Sequence, residues 1–201
     1  MNRQDEAPSP ILSNDASNLT AYLRHLLLHD PDLFDQLQRD ARSFLPGLER
    51  LEFAPVGGAS SGHVLQLVEK GLHGPTELHE ASPGSIRALA LLALLYDPRP
   101  PKLTCIEEID HGLHPYLFDR LVELLRKASR RTQLLIATHS PALVNRLGSN
   151  ELIVCERRDD GSSAIPSVDP RKVRTMEEEL DGELGLGELW FSGALGGVPE
   201  L

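Results

Sequence analysis

The chain has 201 residues, and its 20 Lys+Arg against 30 Asp+Glu give a formal net charge of −10. That length predicts one domain, or one with appendages, and a content of 40% hydrophobic and 25% charged residues is globular rather than disordered. No apolar run approaches the roughly 18 residues of a membrane span, the polar, acidic stretch Met1–Pro10 does not read as a signal peptide, and the negative charge argues against nonspecific nucleic-acid binding by the domain alone.

In chain order, residues 1–16 are rich in Pro, Ser, Asn and Asp and predict a disordered leader. Leu19, Leu23, Leu26 and Leu27 recur at helical spacing, with Ser17 as the expected cap. Asp30-Pro31 ends that helix, and Leu33, Phe34, Leu37 and Ala41 define a second, stopped by Pro46-Gly47. Leu51–Val56 and His63–Lys70 predict two strands joined as a small hairpin by the turn Gly57–Gly62. Ser85–Leu95 predicts a nearly all-apolar helix, and Pro115–Ser129 an amphipathic one carrying Leu117, Phe118, Leu121, Leu124, Leu125 and Ala128 on one face. The apolar runs Leu103–Ile106, Leu134–Ala137 and Leu152–Cys155 alternate with helices, the last of them over Pro141–Leu147. This pattern predicts an α/β fold whose parallel sheet is buried on both faces. Cys105 and Cys155 lie inside such runs and are expected to be buried free thiols of a reduced, cytoplasmic compartment. Residues 17–158 form the expected body. An extension over 159–201 carries a helix at Arg171–Leu180 and a glycine-rich tail near Trp190.

Three segments carry chemistry. The run Leu103–Ile106 ends abruptly in Glu107-Glu108, and ligands of α/β sheets gather at the carboxyl ends of strands. Neighbouring strand residues point to opposite sides, so one carboxylate is placed to hold Mg2+ through water and the other to orient or deprotonate an attacking water. An ordinary polar strand end has the same composition. The next run ends in Thr138-His139-Ser140, where a histidine could contact phosphate, cap a helix or simply pack. Upstream, Ser82-Pro83-Gly84-Ser85 opens the apolar helix, which is either an anion site or an ordinary capped start.

Taken together, these segments resemble the C-terminal half of an ABC-type ATPase head, in the AAA-family branch of P-loop NTPases near the SMC, RecF and RecN proteins. Ser82-Pro83-Gly84-Ser85 resembles the signature motif, and Leu103–Glu108 resembles the Walker B strand with its catalytic glutamate. Asp110-His111-Gly112-Leu113-His114-Pro115 is similar to the D-loop, and Ala137–Pro141 to the switch-histidine motif. Leu186-Gly187-Glu188-Leu189-Trp190 is similar to the tail of such ATPases. The resemblance implies ATP and Mg2+ as cofactors. It implies Glu108 as the general base or water-orienting residue, Glu107 at the place of a magnesium-associated Asp, and His139 as the γ-phosphate sensor. Ser82, Gly84 and Ser85 would face ATP held by a second subunit, with Asp110 and His111 at the interface of a head-to-head dimer. Pro83 departs from the motif, having no N–H to give to phosphate.

The phosphate-binding loop of this class ends in Gly-Lys-Ser/Thr. None of the four lysines (Lys70, Lys102, Lys127, Lys172) follows a glycine-rich loop, and Gly57–Gly62 is followed by His63-Val64. The expected chain is therefore the C-terminal part of an ATPase, whether truncated, from a split gene or degenerate, with a composite site completed by a Walker A-bearing segment or partner. DNA enters only indirectly, and no membrane is involved. One alternative is a non-catalytic half-head acting as an interaction module. The other is a metal-dependent phosphoesterase built on Glu107, Glu108, Asp110, His111 and His114.

Overall fold

The computed structural model describes residues 8–57, 62–179 and 184–196. Residues 1–7 of the leader, 58–61 of the predicted turn and position 180 at the end of the predicted late helix lie outside them. The chain divides into two compact units, one comprising residues up to Thr104 with 111–113 and 124–134, the other 105–110, 114–123 and the chain from Leu135 onward.

The first unit opens with helices α1 (Leu19–His29) and α2 (Pro31–Phe44). The cap of α1 is Asn18 rather than Ser17, and its side chain does not cap. It is used elsewhere, accepting from the Ser13 amide at 2.9 Å and donating to the Ile11 carbonyl at 2.8 Å. Helix α2 starts as its sequence dictates, with Pro31 in the first turn and Asp30 accepting from the Leu33 amide at 3.2 Å. Strands β1 (Leu48–Val56) and β2 (Gly62–Glu69) form the expected antiparallel hairpin, with Phe53 opposite Leu65. A third strand that the sequence does not announce, β3 (Thr76–Glu77), pairs with β2. Helix α3 (Pro83–Leu95) buries Leu89, Leu92 and Ala93 beside Leu23 of α1, Leu37 of α2 and Leu65 of β2 as the unit's core. Tyr96 donates to Asp40 within it.

Arg131 closes the far end of α3. Its guanidinium donates to the carbonyls of Leu95 at 2.7 Å and Asp97 at 2.5 Å, satisfying acceptors that a helix end leaves open. Replacing Arg131 with Ala should lower unfolding stability by about 1–2 kcal/mol. Arg131→Lys should recover only part of it, because an ammonium lacks the planar fork. Urea denaturation of the three proteins measures both.

Strands β4 (Leu103–Ile106) and β5 (Gln133–Ile136) form a two-stranded sheet. The Gln133 amide bonds the Lys102 carbonyl and the Ala137 amide bonds the Ile106 carbonyl. Both strands advance four residues in the same direction between these bonds, so the pair is parallel, as an α/β fold requires. The link between them contains a 3-10 turn (Pro115–Leu117) and helix α4 (Phe118–Ala128), whose apolar stripe is buried.

Two expectations about this sheet are corrected. It is not buried on both faces: in β4, Thr104 and Ile106 are buried, whereas Leu103 and Cys105 are exposed. Cys105 and Cys155 are exposed thiols: strand alternation turns Cys105 outward in β4, and Cys155 is exposed in the irregular stretch that follows the buried Val154. In the second unit the run Leu152–Cys155 does not supply the expected strand. The Val154 carbonyl instead accepts from the Ser167 amide at 2.8 Å, and the ladder begins beyond it, as antiparallel β6 (Glu156–Arg157) and β7 (Ser163–Ala164). Helices α5 (Pro141–Val144), α6 (Pro170–Glu179) and α7 (Leu186–Phe191) complete this unit. Val144, Val154, Val173, Leu186, Leu189 and Leu195 form its core, with Trp190 packed against it. No helix among the described residues is long and apolar enough to cross a membrane.

Candidate functional site

Because β4 and β5 run parallel, both end at the same edge of their sheet, and both sequence-derived clusters stand at those ends. In the second unit β4 stops at Ile106, and Glu107 and Glu108 follow, both exposed. Glu108 adopts φ +46°, a left-handed conformation that costs a side-chain-bearing residue energy. This twist breaks the ladder. Ile109, rather than Glu108, reaches the Ala137 carbonyl at 3.4 Å, and Ile109 is fully buried. The buried isoleucine anchors the turn while Glu108 is carried outward.

The neighbouring strand end is strapped to that turn. Thr138 donates its hydroxyl to the Asp110 carboxylate, and the same oxygen accepts from the Ser140 amide at 3.1 Å. Ser140 in turn caps α5, accepting from the Leu143 amide at 3.3 Å. His139, between these two anchored residues, is exposed. The structure thus brings Glu107, Glu108, Asp110 and His139 to one sheet edge. Sequence reasoning gave Thr138 no role, although its place in Thr-His-Ser was visible.

Ser82, Gly84, Ser85 and His111 belong to the first unit. Ser82 caps α3, its hydroxyl accepting from the Ser85 amide at 3.1 Å and lying 2.9 Å from the Ser85 hydroxyl. Pro83 occupies the first helical turn, where its missing N–H costs no helical hydrogen bond. Gly84 approaches the turn that follows His111: a Cβ built on Gly84 would stand 2.6 Å from the Gly112 carbonyl oxygen. Gly112 itself has φ +76°. Gly84→Ala should therefore push these two backbones apart and destabilise the unit by about 1–3 kcal/mol. Gly74→Ala, with nothing within 4 Å of the new Cβ, is the matched control in the same denaturation experiment.

The five residues of the phosphoesterase alternative do not gather. Among the described residues no group of three or more His, Cys, Asp or Glu side chains could hold a metal ion. His114 accepts from the Tyr116 amide at 3.3 Å, capping the turn before α4. A cation at Glu107 fits a different chemistry: Mg2+ is typically held by one or two carboxylates together with substrate phosphates and water. An exposed carboxylate at a strand end suits that mode.

Comparison with solved structures places the fold. A chain from an SMC ATPase studied for ATP-driven dimerisation and DNA-stimulated activation matches with TM-score 0.54 at 16% identity, over 81% of this chain and 99% of that one. The Smc head domain of Pyrococcus furiosus, with an extended coiled coil and bound to the C-terminal domain of ScpA, matches with TM-score 0.56 at 16% identity, over 84% of this chain and 42% of that one. The Pyrococcus yayanosii Smc head with coiled coil and joint gives 0.54 at 17% identity, over 83% and 34%. These likenesses show the fold: a P-loop NTPase-type α/β domain with a parallel sheet flanked by helices, a leading helical segment and a small hairpin. In sequence, the chain is 31% identical over 90 residues to the Septu protein PtuA of Bacillus thuringiensis, covering 43% of this chain and only 23% of PtuA. The family model described as "AAA domain, putative AbiEii toxin, Type IV TA system" matches residues 4–145, well over half of the sequence, and the chain belongs to that family of AAA-type ATPase domains.

Proposed function

We propose that this chain is the Walker B-bearing part of an ABC-type, SMC/RecF-like ATPase head, and that ATP is bound and hydrolysed at a composite site it completes with a Walker A-bearing segment or partner. The observation that carries the reading is the shared sheet edge, where Glu107-Glu108 and His139 stand at the ends of parallel strands and the Asp110–Thr138 hydrogen bond ties the two ends together. At such an edge Glu108 orients the attacking water and takes its proton, and His139 contacts the γ-phosphate. Glu107 helps hold Mg2+, which when bound supplies charge neutralisation to the phosphates. Ser82, Gly84 and Ser85 present the first turn of α3 to ATP held by a second subunit, and Asp110 and His111 lie toward the head-to-head dimer interface. At net charge −10, DNA acts on this cycle only through other parts or partners.

Without a Gly-Lys-Ser/Thr loop, the chain lacks most of the attraction for a triphosphate. The purified chain should therefore bind ATP weakly and hydrolyse little or none. Calorimetric titration with Mg-ATP and a phosphate-release assay test this directly. Robust turnover by the 201-residue chain, abolished by Glu108→Gln, would show that the site needs no partner. The reading of a non-catalytic interaction module draws on the same missing lysine and on Pro83. It predicts that adding a loop-bearing partner restores binding without Glu108-dependent turnover.

A further inference from the structure

Within the first unit, helix α1 carries two histidines one turn apart. His25 and His29 stand at positions i and i+4, so their side chains meet on one face of the helix. His25 is half-buried and His29 exposed, whereas Leu19, Tyr22, Leu23 and Leu26 of the same helix are buried. The two imidazoles are stacked, with ring centroids 4.0 Å apart and planes inclined at 22°. His29 Nδ1 lies 2.9 Å from the His25 carbonyl oxygen. A carbonyl can only accept, so Nδ1 carries the proton, and in the neutral ring Nε2 keeps its lone pair. Histidines that ligate metals are oriented in this way, giving their other ring N–H to a carbonyl or carboxylate. Burial, His29 and Arg99 together hold the His25 imidazole below its usual pKa, which keeps that ring neutral at neutral pH. Stacking agrees with this, since two imidazolium ions at such a spacing would repel.

We propose that His25 and His29 form a two-imidazole chelate for a zinc-class divalent cation, with water at its remaining positions. The site is independent of the ATPase-head reading and of the Mg2+ that reading calls for. Imidazole suits zinc, copper and nickel, whereas Mg2+ and Ca2+ take oxygen ligands. The residues between the histidines are Leu26-Leu27-Leu28, so the pair brings no carboxylate for a hard cation or for general-base work. The charge of Arg99 beside His25 sharpens the selection, because it repels any cation held by charge alone and leaves only those gaining from coordinate bonds. Two nitrogens on one tetrahedral zinc stand about 3.3 Å apart, close to the spacing of the stacked rings, so small ring tilts close the chelate. Among the described residues no third His, Cys, Asp or Glu side chain joins the pair, and the site is therefore an open, reversible one rather than a closed structural zinc. The competing role for His29 is to bond a last-turn carbonyl and no more.

Zn2+ titration of the full chain, free of any polyhistidine tag, tests the proposal. Cys105→Ser and Cys155→Ser are carried throughout, because both thiols are exposed and would compete for the ion. A chromophoric chelator in competition reads the affinity. His25→Phe keeps an aromatic ring on the stack and removes its nitrogens, and His29→Ala removes the other ring. His73→Ala, at an exposed position outside regular structure, is the control. Each test variant should weaken the tightest Zn2+ site by at least about tenfold, and the double variant by little more, because either loss leaves one monodentate ligand. His73→Ala should leave it unchanged, and a large excess of Mg2+ should not displace the zinc. In imidazole 15N spectra of the parent, with the rings assigned through the backbone, the signals of His25 and His29 should move together as Zn2+ is added. Those spectra carry the test even where a variant fails to fold. Unchanged affinity in either test variant, movement of one ring or neither, or displacement by Mg2+ overturns the proposal and leaves His29 its carbonyl bond alone.

Discussion

Replacing Gly187 with alanine should destabilise the unit that contains α7 by about 3 kcal/mol or more. A Cβ at this position would stand 2.1 Å from the Pro141 carbonyl oxygen and 2.6 Å from Asn145 Oδ1. The first clash is with backbone, so no rotamer change relieves it. The glycine lets two short helices touch: its amide donates to Asn145 Oδ1 at 2.6 Å, and Asn145 Nδ2 donates to Glu188 at 3.0 Å. Glu188 also accepts from the Gly185 amide at 2.7 Å, fixing the start of α7. Forcing α7 away from α5 would expose Leu186 and Leu189, and each buried leucine contributes roughly 2 kcal/mol. The only tryptophan of the chain, Trp190, lies in α7 and reports the loss directly. Chemical denaturation followed by its fluorescence should show a lowered midpoint for Gly187→Ala and little change for Gly74→Ala. Equal midpoints for the two variants would refute the close approach. Because α5 begins two residues after His139, loosening α7 should also loosen the loop that holds the histidine.

Which parts of this arrangement can be read from sequence follows from the range of the interactions. Local signals survive translation into structure. Asp30-Pro31 and Ser82-Pro83 start helices because a cap and a proline act within one turn. Glu107-Glu108 and Thr138-His139-Ser140 stand at strand ends because an apolar run that stops in polar residues marks its own boundary. Contacts between distant positions leave no such mark. The bond from Gly187 to Asn145 spans 42 residues, and nothing in either neighbourhood announces the other. The apolar run Leu103–Ile106 reads the same whether one or both faces are covered. Hence the exposure of Leu103, Cys105 and Leu135 emerges only from the folded structure. Leu152–Cys155 misleads for a related reason. Its alternation satisfies the core through Val154, and the ladder belongs to the polar residues that follow, Glu156 and Arg157. Two-residue strands such as β3 are too short for any periodicity to register.

At Glu108 the backbone and the chemistry should pull in opposite directions. Its φ of +46° puts a glutamate where glycine is at ease, at a cost of roughly 1 kcal/mol. Glu108→Gly should therefore raise unfolding stability by about 1 kcal/mol, whereas Glu108→Gln, which keeps a Cβ, should leave it within about 0.5 kcal/mol. The strain has a structural cause. With β4 ended at Ile106 and Ile109 buried, the chain turns through Glu107 and the left-handed Glu108, and Ile109 reaches the Ala137 carbonyl. If Glu108 is the general base of the composite ATPase proposed above, both substitutions should lower its turnover by about 10²–10⁴, the range typical of losing a positioned general base. Thermal unfolding of the isolated chain and phosphate release by the assembled enzyme measure the two effects separately. A glycine variant no more stable than the glutamine variant would remove the strain. A glutamine variant with undiminished turnover would remove the catalytic role. Higher stability together with lost turnover would mean that the turn holds Glu108 outward at the expense of stability, and would support the proposed water-orienting role.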